Sequence, residues 1–486
     1  MAAGVASENG VEQLFIGGEP AGTVSSETIS ICSPESGDRL ALIPAGCAED
    51  VNRAVAAASE AAVLWSKTPL RDRLATVVAM VDALEPHVEE LARAQCAEMG
   101  QPLELARESL SGLSDWARGL LEGAPLAEVT ELGGGHLVHE PRGVGALIVP
   151  WNFPLPVALQ GLVPLLASGH TVVWKPSERS PLSAVAAMRY IGAVVPPGTV
   201  NLVLGDRRAG EPLAAHRDVD VILFTGSVPT GRRVAALAAD RLAKVVLELG
   251  GKDPVIVDQD VDPAWAAGVV AEGAMFNSGQ LCTSMERIYV HAGIAEEFTD
   301  RLCNAVGSMS IGPLVDRRQR AVVERHVKHA VEDGARVLVG GRCPDGPGSY
   351  YPPTVVVDVP QHTPLMREET FGPVAAVRTV ESFDEAIQLA NDTEYGLAAT
   401  VLTNDPGHAQ RAGSELRAGI VWINEWQGAV EGAQAEPQRL SGRGIGFGPG
   451  LWNELRTTRY VHRGSATPVD DAQQKVGSPG EQSTQR

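Results

Sequence analysis

VGALIVPWNFPLPVALQGLVPLLASGHTVVWKP, residues 144 to 176, carries no charged side chain before Lys175. A run of this length is long enough to cross a bilayer, which takes about 20 apolar residues in a helix. Prolines at 150, 154, 156 and 164 break such a helix, Asn152, Gln160 and His170 lie inside it, and no arginine-rich flank marks a cytoplasmic side. The stretch therefore reads as soluble and buried: a strand (VGALIVP), a loop, a helix, and a second strand (TVVWKP).

The same alternation continues downstream. GTVNLVLG (198–205), DVILFTGS (220–227) and KVVLELGG (244–251) are apolar strand signatures separated by alanine-rich helical stretches, which predicts a parallel α/β sheet. Upstream, residues 49–120 carry apolar side chains at helical spacing, and EVTELGGGHLVHE within 124–140 reads as a protruding hairpin. After Gly251 a second series (RIYVH, ARVLVGG, PTVVVDV, PVAAVRTV, AATVLT, GIVWIN) predicts a second domain with its own sheet. Residues 464–486 lack aliphatic periodicity and are rich in Ser, Gln, Gly, Pro and Asp, the composition of a disordered tail.

The bulk properties bound the function. The chain has 486 residues, 44% of them hydrophobic and 21% charged, enough for roughly two to four domains with proper cores. A formal net charge of -20 repels phosphate-rich partners, so nucleic acid and anionic membrane are excluded as expected ligands. Six scattered cysteines with no C-x-x-C pair and no Cys/His cluster indicate neither a disulfide framework nor a metal site. The N-terminus lacks a basic start followed by an apolar core, and the expected compartment is the cytosol.

Several short pieces carry polar side chains in surroundings otherwise apolar. In FNSGQLCTS (276–284), Cys282 sits in a polar, open turn; the residue type alone fits either a nucleophile or a small packed side chain. Asn152, in the charge-free loop, offers an amide suited to an oxyanion or to capping a turn. Glu248 ends an apolar strand, where burial raises a carboxyl pKa toward the range of a base. FTGSVPTG (224–231) places Gly226 and Gly231 around the start of a helix, a place that favours pyrophosphate, although it is not the G-x-G-x-x-G fingerprint.

Read together and in order, VPWNFP (149–154), WKPSE (174–178), FTGSVPTG, LELGGKDP (247–254), NSGQLC (277–282) and REETFGPV (367–374) resemble the aldehyde dehydrogenase superfamily from about Leu14 to His462. The resemblance implies an α/β fold with a Rossmann-type cofactor domain, a second α/β catalytic domain and a small β oligomerisation element. It divides the chain into 1–122 with 142–250 for cofactor, 251–445 for catalysis, 123–141 with 446–465 for oligomerisation, and a tail at 466–486. By the same resemblance Cys282 is the nucleophile, Asn152 and the Cys282 amide hold the oxyanion, and Glu248 activates the hydrolytic water. The cofactor residues it implies are Lys175, Glu178, Ser227, Gly226, Gly231, Trp151, Glu369 and Phe371; the substrate pocket residues are Phe153, Gln160, Thr283, Ala429 and Ala435. No metal is implied, and a homodimer or homotetramer is.

Glu178 favours NAD, because a carboxylate accepts hydrogen bonds from ribose hydroxyls and repels a 2'-phosphate. Arg207 and Arg208 in LGDRRAGEP (204–212) keep NADP as the alternative. The segment INEWQGAVEGAQAEPQRLSGRG (423–444) departs from the family pattern: Ala429, Ala435 and, on the facing helix, Gln160 stand where relatives often carry rings. The expectation is a wider, wetter funnel and a bulkier or more polar aldehyde than acetaldehyde. Glu425, Glu431 and Glu436 nearby would suit a cationic substrate, though exposed glutamates are commonly a solvated face. The alternatives are oxidation of a biosynthetic imine or semialdehyde by the same chemistry, and a catalytically retired scaffold.

Overall fold

The computed structural model describes residues 10–464. Strands Val144–Ile148 and Thr171–Lys175 are buried along their whole length, as a parallel strand covered on both faces must be. The helix between them, Pro154–Ala167, takes Pro154 into its first turn, where a missing N–H is harmless. It passes through Pro164 and runs three residues beyond, so the expectation that Pro164 breaks the segment is corrected: near the end of the helix its ring is accommodated in the buried face. A Cβ on Gly161 would stand 2.4 Å from Leu147 Cδ1, and the absence of one lets the helix settle directly on the strand. At 14 residues this helix is too short to cross a bilayer, and no helix among the described residues is long and apolar enough to do so.

The first sheet has eight strands. Its parallel centre runs Lys244–Glu248, Val221–Thr225, Val144–Ile148, Thr171–Lys175, Val200–Leu202. From Val144–Ile148 the chain first adds strands to one side and then returns to add Val221–Thr225 on the other. That reversal is where open α/β sheets bind ligands, outside the carboxyl ends of the strands. Leu14–Ile16 and Glu19–Ala21 close one edge antiparallel and Gly442–Arg443 closes the other. These pieces of two or three residues are too short to show a period of two in the sequence.

The second sheet has seven strands in the order Arg336–Val339, Thr354–Val357, Val374–Val380, Met285–His291, Asp253–Val257, Ala398–Leu402, Ile420–Ile423, all parallel except the first. A separate three-stranded sheet pairs Arg456–His462 with Gly135–Pro141 and that strand with Val129–Leu132. Five helices occupy residues 48–122 as the helical spacing predicts. The expected tail at 466–486 lies outside the described residues.

Candidate active site

The carboxyl ends of the first sheet meet the amino ends of the second. Trp151 and Asn152 follow strand Val144–Ile148, Lys175 ends its neighbour, Gly226 follows Val221–Thr225, and Glu248 ends Lys244–Glu248. Facing them, Cys282 precedes Met285–His291 and Glu369 with Phe371 precedes Val374–Val380.

The turn before Cys282 is an unusual backbone. Asn277, Ser278 and Gly279 all lie in the left-handed region, at φ 49°, 58° and 68°, a conformation that is strained for serine and persists only where its surroundings fix it. The Ser278 hydroxyl donates to the Gly312 carbonyl at 2.8 Å, and a Cβ on Gly279 would meet Gly372 O at 2.1 Å. The Gln280 carbonyl accepts Asn152 Nδ2 at 3.0 Å and Asn277 Nδ2 at 3.3 Å. Asn152 is thereby tied two residues before the cysteine, with one amide N–H left over.

Cys282 is half-buried and free. Loss of solvent pushes its thiol up to about 12, with the Asp253, Glu369 and Glu248 carboxyls adding to the rise and only its own backbone N–H opposing it. The surroundings thus favour the thiol over the thiolate, and a nucleophilic Cys282 has to lose its proton against that bias. Burial pushes Glu248 up to about 8, opposed by the Gly446 N–H, in the direction its apolar strand predicts. Its Oε1 is enclosed with no hydrogen-bond partner among the described residues. The following glycines are a matter of room: a Cβ on Gly250 would stand 2.3 Å from Glu369 Oε2, and one on Gly251 2.5 Å from Cys282 O.

On the other side of the first sheet's ends, Lys175 is buried, and its ammonium donates to the Pro176 carbonyl at 2.9 Å. Burial holds its pKa down while Glu178 and Asp206 act to raise it. Helix Val228–Ala239 starts at Ser227 with no side-chain cap on its amides, leaving the donors an anion would use. Gly226 donates its N–H to the Glu248 carbonyl at 3.0 Å, and a Cβ on Gly231 would meet Leu249 at 2.5 Å. The Trp151 ring meets Phe371 edge-on at 5.2 Å, with Arg179 above it at 5.5 Å. This donor set, an ammonium with spare hydrogens and an uncapped helix start, fits a dinucleotide, while Gly226 and Gly231 make room for the Phe224 and Leu249 side chains.

The family model for the aldehyde dehydrogenase family matches residues 23–461. The chain is 36% identical to the peroxisomal aminoaldehyde dehydrogenase 2 of Malus domestica, over 92% of this chain and 96% of that protein. The chain belongs to the aldehyde dehydrogenase family. It is accordingly an NAD(P)-dependent oxidoreductase acting on aldehydes. Among solved structures, lactaldehyde dehydrogenase from Escherichia coli superposes with a TM-score of 0.90 at 32% identity, covering 94% of this chain and 99% of that one. Betaine aldehyde dehydrogenase from Staphylococcus aureus, described in complex with NAD+, gives 0.88 at 31% identity, covering 94% and 96%.

The substrate side of this aldehyde dehydrogenase differs from the reading of its sequence. Gln160 and Ala429 are exposed and Ala435 is half-buried, but the approach to Cys282 is not stripped of rings. Phe153 stacks on Phe276 at 6.2 Å, Phe276 meets Trp426 edge-on at 5.6 Å, and Trp426 Nε1 donates to the Thr283 carbonyl at 3.1 Å. Phe276 and Trp426 are not evident in the sequence because they lie 150 positions apart and meet only through space. The contacts of Gln280, Gly446 and the pair Lys252 and Glu286 are likewise visible only from the segments they touch.

Proposed function

We propose that the enzyme oxidises an aldehyde to a carboxylic acid through a thioester on Cys282. The Cys282 thiol gives its proton to solvent water and the thiolate attacks the carbonyl carbon; the C–S bond forms as the carbonyl π bond opens, and the oxygen becomes an oxyanion received by the free N–H of Asn152 and the Cys282 amide. NAD, when bound, supplies the acceptor for the hydride released as the C–H bond breaks. Glu248 then takes a proton from water, the resulting hydroxide adds to the thioester, and the C–S bond breaks to free the acid and the thiolate. The observation that carries this reading is the convergence on one turn of the Asn152 amide, through Gln280 O, and the segment from Glu248 to Gly251, which packs on Cys282 O.

Lys175 and Glu178 would hold the adenosine ribose, Ser227, Gly226 and Gly231 the pyrophosphate, and Glu369 with Phe371 and Trp151 the nicotinamide end. NAD is preferred to NADP. Arg208 already has Glu27 and Asp206 as partners, Arg207 is exposed with the Glu211 carboxylate acting on it, and the carboxylate of Glu178 supports NAD over a 2'-phosphate. Phe153, Thr283, Gln160, Ala429 and Ala435 would border the funnel together with Phe276 and Trp426; although rings stand near Cys282, the exposed Gln160 and Ala429 support a bulkier or more polar aldehyde than acetaldehyde as substrate. The chain divides at 1–122 with 142–250, and 251–445, into cofactor and catalytic domains, while 123–141 and 446–465 build a homodimer or dimer of dimers. The cytosol is the proposed compartment, supported by six unpaired cysteines.

NADH and NADPH formation across aliphatic, aromatic and amino aldehydes, with Cys282→Ala as control, tests the reading. We expect turnover with NAD that is lost in the alanine variant and higher kcat/KM on bulky or polar aldehydes. Uniformly better turnover of short aliphatic aldehydes refutes the substrate assignment, and turnover surviving Cys282→Ala refutes the nucleophile.

A further inference from the structure

Glu286 and Lys252 form an ion pair whose side chains are 4% and 0% exposed. Neither has a part in the reaction as proposed. Isolated charges are costly to bury, and a pair of this kind persists when further hydrogen bonds complete it. Here those bonds all fall on two residues. The Thr370 N–H donates to Glu286 Oε2 at 2.9 Å, and the Phe371 N–H donates to Oε1 at 2.8 Å. Lys252 Nζ donates to Thr370 Oγ1 at 2.9 Å, and His326 Nδ1 lies 3.2 Å from the same hydroxyl. Gln319 Nε2 closes the other side, donating to the Thr370 carbonyl at 2.9 Å and the Phe371 carbonyl at 3.1 Å.

Phe371 needs this support, because it sits at φ 51°, where a bulky residue is strained and stays only if its neighbours fix it. In that conformation its ring meets Trp151, while Glu369, two residues earlier, lies against Gly250. Lys252 stands four residues after Glu248 and Glu286 four residues after Cys282. The segments that carry the base and the nucleophile therefore each end in one half of the ion pair.

We propose that Glu286 and Lys252 are positioning residues for the cofactor: by gripping the backbone of residues 370 and 371 they set Glu369 and Phe371 in register with Cys282 and Glu248. This rests on the assignment of Glu369 and Phe371 to the nicotinamide end. Losing the grip should loosen cofactor binding and leave the cysteine able to react.

The test is Glu286→Gln, which keeps the shape and removes one charged acceptor, measured beside Lys252→Met/Glu286→Gln, which leaves no unpaired buried charge should the single variant fail to melt cooperatively. The expected result is a KM for NAD raised tenfold or more, with weaker quenching of tryptophan fluorescence by NAD, while cofactor-free hydrolysis of p-nitrophenyl acetate at Cys282 stays within threefold. A change in NAD KM below twofold in a folded variant overturns the proposal, as does a parallel fall of ester hydrolysis, which marks a merely structural pair; so does failure of both variants to fold. Phe371→Ala separates the two levels. If it leaves NAD binding unchanged, the assignment of residues 369 and 371 falls; if it weakens binding and the Glu286 variants do not, only the ion-pair proposal falls.

Discussion

A Glu248 carboxyl lifted to about 8 is protonated at neutral pH and cannot then accept a proton from water. If deacylation limits turnover, kcat should climb about tenfold per pH unit up to about pH 8 and level off above it. Glu248→Gln should lower kcat by about 10²- to 10⁴-fold while keeping the first-turnover burst of NADH, measurable by stopped flow; loss of the burst would assign the residue to an earlier step. The same shift acts on stability. The folded pKa lies above the unfolded one, so the folded state holds the proton more tightly, and the contribution present below about 4.5 is lost as pH rises toward 8. At this scale much was legible: the polar residue of each apolar motif could be picked out, and the rise in the Glu248 pKa followed from its strand. The rise in the Cys282 pKa was not, because it comes first from burial and then from the Asp253, Glu369 and Glu248 carboxyls, which only folding brings about.

The turn after strand Gly442–Arg443 shows how an element confines a side chain. A Cβ on Gly446 would stand 2.1 Å from Glu248 Oε1, yet the backbone there is not left-handed, so the glycine serves room and not conformation. Gly446→Ala should push the carboxylate from this position, reducing steady-state kcat by tenfold or more and displacing the pH midpoint, with little change in thermal midpoint; a wild-type pH profile would show that Glu248 does not depend on the turn. Most elements were readable from period and punctuation, since strands such as Thr171–Lys175 are continuous apolar runs. The exceptions have local causes. Leu14–Ile16 is too short for a pattern, and Pro164 ends nothing because the helix is nearly over.

Across the whole molecule, strand Arg456–His462 is an open edge of the three-stranded sheet, with Tyr460 on it 60% exposed. Val129 and Leu132 on the far strand are also exposed. Unpaired edges invite a partner strand, so light scattering should give about two or four times the 51.1 kDa of one chain; a monomer at micromolar concentration would refute the oligomerisation role of 123–141 and 446–465. The sequence by itself determined the alternating α/β architecture, the two series of strands and the motifs on which the proposed roles of Cys282, Glu248 and Asn152 rest, because hydrophobic periodicity and local backbone chemistry are written in neighbouring residues. Tertiary structure alone decided which carboxyls surround the thiol, which rings border it and which ion pair grips residues 370 and 371. Those contacts join segments up to some 150 residues apart, and their energies depend on distance through space and on burial, neither of which a linear pattern specifies.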